Sequence, residues 1–169
     1  MGFFKFFKGK NNQEDDHQSE SNQIDDTQKE FIQDMAGNAE RIVEAYNEAL
    51  GGTLDFSVNS LKVLDELLEQ FHQNKDEIDE EMMSDLIGQA GGYIFEVARR
   101  NFGGKYFWYE QLNQPILVTG QPKFEISIIA FDKVKMRLEN GQEDNIPFYF
   151  KGYEERVKKG IEGDRALIN

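Results

Sequence analysis

Cysteine is absent from the 169 residues, which excludes disulfides, thiolate metal sites and a cysteine nucleophile together. That absence fits a reducing compartment, and a cytoplasmic address is expected. No run of about 18 apolar residues occurs, so no membrane-spanning helix is expected. The apolar start breaks at Lys5 and Lys8 and turns polar by Asn11, which gives no secretory signal. The sequence also holds no P-loop, no G-x-G-x-x-G after a strand, no H-E-x-x-H and no G-x-S-x-G. Histidine is scarce. His17 stands among acids with no second histidine nearby, and His72 falls at the end of a helical pattern, so neither suggests a metal ligand set. No cofactor and no metal are expected.

What is present is acid. The net charge is -13, and it is unevenly placed: residues 1–10 carry +3, residues 11–30 carry -6, residues 31–102 carry -10 and the remainder balances. An acidic front half repels a phosphate backbone, which argues against nucleic acid as a partner and favours a basic protein. With 32 acids in the chain, any two carboxylates could meet in space, so carboxylate pairs alone point to no acid–base chemistry. The run DEIDEE at 76–81 lacks the glycine and alternate spacing of an EF-hand loop; its acids are expected in the first turn of a helix, where negative charge is stabilising.

Three segments follow from composition. Residues 1–28 read as a tail without core-forming potential, 29–160 as a single α+β domain, and 161–169 as a loose C-terminus. Within the tail, residues 11–28 contain Ile24 as their only aliphatic residue and are expected to be a disordered linker. The first ten residues, MGFFKFFKGK, are different. On a helix Phe3, Phe4, Phe6 and Phe7 occupy one arc of roughly 160° with Lys5 and Lys8 opposite, the pattern of an interfacial anchor. Contact with an anionic membrane surface through these six residues is one expectation for them, an idle disordered terminus and docking onto the domain being the alternatives.

Inside the domain, apolar spacing predicts a helix from Lys29 to Leu50 stopped by Gly51 and Gly52, and a second with Ser57 as N-cap and Leu61, Leu64, Leu68 and Phe71 inward. The centre of the sequence is a third helix. Met83, Leu86, Ile87, Ala90, Ile94, Val97 and Ala98 keep a 3.6-residue period up to a stop at Gly103 and Gly104. Gly88 and Gly92 lie on one face of it and predict a neighbouring backbone close by. Three strands joined by short turns follow (KYFWYE at 105–110, ILVT at 116–119 and FEISIIA at 124–130), which predicts an antiparallel meander. Two more helices close the domain. The first is expected to be capped by Asp132, and the second opens near Pro147 with Phe150, Tyr153 and Val157 inward.

Two groups stand out as candidate sites. Glu96 is an ionisable residue between Phe95 and Val97, and Arg100 stands four residues on in the favourable orientation for an ion pair; a surface pair is expected, an active-site carboxylate being the alternative. Asp132, Lys133 and Arg137 come directly after the third strand, where an ordinary solvated helix face is expected and an anion site at a helix N-terminus is the alternative.

GGYIFEVARRNFGGKYFW together with FDKVKMRLENGQEDNIPFYF resembles a group of small bacterial domains of unknown function, over roughly residues 54–158. In that group a helix with a Gly-x-Tyr-x-x-Glu-like core precedes a Gly-Gly turn and a strand with Trp. Phe95 departs from the small residue expected before the glutamate. The resemblance implies a bacterial α+β domain, in some cases immunity-like, and no catalytic residues. The expected function is a non-enzymatic interaction with a protein partner through an acidic helical surface. Peripheral membrane attachment by residues 1–10 and an enzyme with its site at Glu96 and Arg100 are the alternatives.

Overall fold

The computed structural model describes the backbone from Asp16 and the side chains from Asp26. The basic-aromatic residues Phe3, Phe4, Lys5, Phe6, Phe7 and Lys8 lie outside this range. The described elements are α1 (Asp16–Tyr46), α2 (Ser60–Gln73), α3 (Glu80–Phe102), β1 (Lys105–Tyr109), β2 (Gln114–Thr119), β3 (Glu125–Ile128), α4 (Phe131–Asn140), α5 (Ile146–Lys159) and β4 (Arg165–Ile168). The architecture is mixed α+β, as expected. β1 pairs with β2 and β2 with β3, both antiparallel.

The C-terminus corrects one expectation. Residues 165–168 are not loose: β4 lies parallel to β3 with Glu125 opposite Arg165, giving a four-stranded sheet in the order β1-β2-β3-β4. α4 and α5 supply the long crossover that a parallel pair needs. The Tyr149 hydroxyl pins the new strand, lying 2.6 Å from the Ile129 carbonyl and 2.8 Å from that of Ile168. The N-terminus differs as well. α1 begins at Asp16, inside the stretch expected as linker, and ends at Tyr46 rather than Leu50. Adding turns to a helix that is already packed avoids the cost of nucleation, so a polar sequence without Gly or Pro can follow it.

α3 is the axis of the fold. Asp79 caps it by accepting the Met82 N–H at 2.8 Å, with Glu80 and Glu81 in the first turn. Every residue from Ala90 to Ala98 is buried. The expected close approach occurs at Gly92, where an added Cβ would lie 2.7 Å from Asn38 Cβ and 2.9 Å from the Met35 carbonyl oxygen on α1. Gly88 makes no such contact; the second close position is Gly91, under the Phe131 ring. Phe95 does not disturb the crossing, because its ring turns to meet Tyr106 and Phe131 edge-on. Gly92→Ala should therefore destabilise the protein by about 1–3 kcal/mol through overpacking. Gly88→Ala should be neutral or stabilising by up to about 1 kcal/mol through helix propensity. Urea denaturation of the two variants checks the contrast, and equal effects would contradict this packing.

Gln28, on α1, reaches the sheet. Its amide accepts from the Tyr106 N–H at 2.9 Å and donates to the Tyr106 carbonyl. In β1, Trp108 opposes Pro115, which has no N–H to give, so the backbone groups of Trp108 and of Tyr106 point away from β2. Gln28 thus occupies the outward side of the edge strand, and the ordered domain includes it.

Candidate functional site

Glu96 is not a surface residue. Its side chain is 0% exposed, and it holds two arginines rather than one: Arg99 through Nε and Nη2 at 2.7 and 2.9 Å, and Arg100 through Nε at 2.8 Å. The expected pair with Arg100 is present, but beneath the surface, with the guanidinium groups as its cover. Burial alone would raise the Glu96 pKa; the hydrogen bonds from Arg99 and Arg100 outweigh it and hold the carboxyl below its ordinary range. Such a carboxylate is ionised with both oxygens engaged by guanidinium groups, unlike a general base or acid tuned towards neutral pH.

The geometry around Arg100 shows what the cluster holds. Its guanidinium lies 3.7 Å from the centre of the Phe56 ring, which also stacks on Tyr93. Phe56 has φ +62°, a left-handed conformation that a bulky residue adopts only under constraint. The constraint is visible: the Phe56 N–H donates to the Tyr93 hydroxyl at 3.0 Å, and its carbonyl accepts from Asn101 at 2.9 Å. Glu96 and Arg100 therefore clamp the loop between α1 and α2 onto the end of α3. Just before α2, Ser57 accepts the Ser60 N–H at 3.2 Å as a capping side chain would, although the regular helix starts only at Ser60.

Asp132, Lys133 and Arg137 share α4 but do not converge on one site. Asp132 lies in the first turn without capping the helix; it accepts from Gln114 at 2.7 Å. Lys133 meets Asp144 at 2.7 Å, lies over the Tyr149 ring and is buried rather than solvated. Its hydrogen bond holds the Asp144 carboxyl below the usual range. Arg137 is 0% exposed and faces α2, with Nε 2.8 Å from Asp65 and Nη2 2.7 Å from Glu69. Asp65 is itself saturated by the Ile146 N–H at 2.9 Å and Asn145 at 3.0 Å. The network ties α2, α4 and the start of α5 together. His72 joins the same seam, its Nδ1 lying 2.7 Å from the Leu138 carbonyl.

A group of carboxylates without an ion-pair partner among the described residues lies elsewhere, around a partly apolar groove. A groove of ≈ 640 Å³ opens between the C-terminal part of α1, the end of α2 and the first turns of α3. Tyr46, Phe71, Met82 and Leu86 line it, and Met82 is 48% exposed. Glu44, Asp79, Glu81 and Asp85 stand around these side chains, against the single cation Arg41. Among the described residues, none of these four acids and not Arg41 takes part in an ion pair. Like charges held together without neutralisation repel one another, and a cationic ligand would relieve the repulsion. The sequence carried a trace of this groove in the (i, i+4) pairs Glu81/Asp85 and Met82/Leu86, which run side by side along α3. Its other walls come from two distant helices, and no local pattern announces them. Among the described residues no helix is long and apolar enough to cross a membrane. No family model matches the chain, and neither a curated protein nor a solved structure resembles it significantly.

Proposed function

We propose that this chain is a non-enzymatic protein-interaction domain whose acid-rimmed groove receives a basic segment bearing apolar side chains. The observation that carries the reading is the gathering of Glu44, Asp79, Glu81 and Asp85 around a half-exposed methionine with one cation in reach. Partly exposed apolar side chains supply affinity, and the unneutralised rim supplies selection for positive charge and a fast encounter. Glu96 and Arg137, the charged residues most deeply buried in the domain, serve the fold in this reading. An immunity-like role against a basic toxin is a special case of it.

The test is a titration with a designed amphipathic Lys/Leu helical peptide, followed by amide chemical shifts. Shifts should concentrate on residues 41–46 and 79–89. Charge reversal of the exposed pair, Glu81→Lys with Asp85→Lys, should weaken binding on the order of tenfold, and added salt should weaken it for the wild type. Asp79 is left intact because it caps α3. A peptide that binds equally well to the reversed groove, or shifts residues elsewhere, would dismiss the proposal.

A further inference from the structure

The geometry points to a specific occupant of this groove: residues 1–10 of a second copy of the same chain. The inference rests on the reading of the groove as a protein-binding surface and names its ligand.

Charge and apolar content match on both sides. The segment MGFFKFFKGK carries +3 and four phenylalanines, while the groove sets four acids against Arg41 around Tyr46, Phe71 and Met82. Rings laid on those three side chains would leave Lys5 and Lys8 at the acidic rim. The acids that follow in the sequence, at 11–30, could also screen these lysines, but Ile24 is the only aliphatic residue there, so they offer nothing to cover the rings. Four phenylalanines within five positions would be an aggregation liability if left uncovered.

Chain length favours another molecule's groove over the chain's own. From Asp16 to the groove wall at Arg41–Tyr46, α1 rises about 38–45 Å at 1.5 Å per residue. Phe7 and Phe6 precede Asp16 by nine and ten residues, which span at most about 32–36 Å, while Phe4 and Phe3, twelve and thirteen residues away, span about 43–47 Å at full extension. The four rings therefore cannot settle together in the groove of their own copy: Phe6 and Phe7 fall short of it, and Phe3 and Phe4 reach it only on a fully stretched chain. Another copy sets no such limit. A head-to-tail contact of this kind leaves one groove and one tail free at its ends, and grows into chains or closes into rings as concentration rises.

Sedimentation velocity of the full chain across a concentration series tests this, with two charge-reversed variants: Lys5→Glu with Lys8→Glu in the tail, and Glu81→Lys with Asp85→Lys in the groove. The wild type should associate with rising concentration, less so at higher salt. Each variant alone should associate at least about tenfold more weakly. An equimolar mixture of the two should regain association, because each supplies what the other lacks and the two reversed surfaces also match. A wild type that stays monomeric throughout, or a mixture that regains nothing, overturns the inference. It is equally overturned if the tail reversal abolishes co-sedimentation with anionic phosphatidylserine vesicles while the chain never self-associates, since lipid would then be the occupant. The designed Lys/Leu peptide separates the two levels: binding of that peptide without self-association removes the second-copy ligand alone, and failure of both removes the groove reading as well.

Discussion

Replacing Arg137 by methionine should cost about 3–5 kcal/mol of stability, the range for removing one member of a buried ion pair. The guanidinium is fully buried, and Asp65, its main partner, is nearly so. Methionine would fill most of the space but leave the Asp65 carboxylate with only the Ile146 N–H and Asn145 as donors. The loss is large because the residual charge stays buried, not because the pair itself is strongly favourable. Replacing Asp65 and Arg137 together by apolar residues should therefore cost less than the sum of the two single changes. Urea unfolding of the two single variants and the double variant measures this directly. A cost below about 1 kcal/mol for Arg137→Met would show that the arginine is hydrated in solution.

Glu96→Gln should be the second most damaging of these changes, at about 2–3 kcal/mol. The carboxylate is buried, but Arg99 and Arg100 are partly exposed and can recover water, which places the expectation below that for Arg137. The pH dependence carries the sharper signature. The folded-state pKa of Glu96 is depressed, so its contribution is complete above the ordinary carboxylate value of about 4.3 and is lost as pH falls through the lower folded value. The stability difference between wild type and Glu96→Gln should accordingly be constant near neutral pH and shrink on acidification below about 4. A gap that persists unchanged to the acid limit would mean that the charge of Glu96 is not what the fold uses.

The helices were legible because burial writes a period into the sequence: Leu86, Ala90, Ile94 and Val97 announce α3, and all are buried. The three strands of the meander were legible for the same reason, aided by the short turns between them, which the structure places at 110–113 and 120–123. What stayed hidden depends on sequence separation. Asp65 and Arg137 lie 72 positions apart, and nothing local to either marks its partner. Gly91 and Gly88 look alike in a helical pattern, yet only Gly91 meets a ring, supplied by Phe131 from another element. Glu96 misled for a related reason. An (i, i+4) Glu–Arg pair is usually a surface pair, and only the packing of α1 and the sheet around α3 puts this one inside. The strand RALI was too short, and too far from β3 in sequence, to be distinguished from an irregular end.

Gln28 has a consequence for where the domain can be cut. An edge strand is a template: its outward N–H and C=O groups will accept any extended chain that comes alongside, including another copy of β1. By taking up the Tyr106 groups, the Gln28 amide imitates one residue of a neighbouring strand and ends the sheet there. The stopper sits on a helix, so it cannot itself be extended into a ladder. A fragment that begins after Gln28 keeps the core but presents an unguarded edge with an exposed Trp108 beside it, the combination from which strand-to-strand aggregation starts.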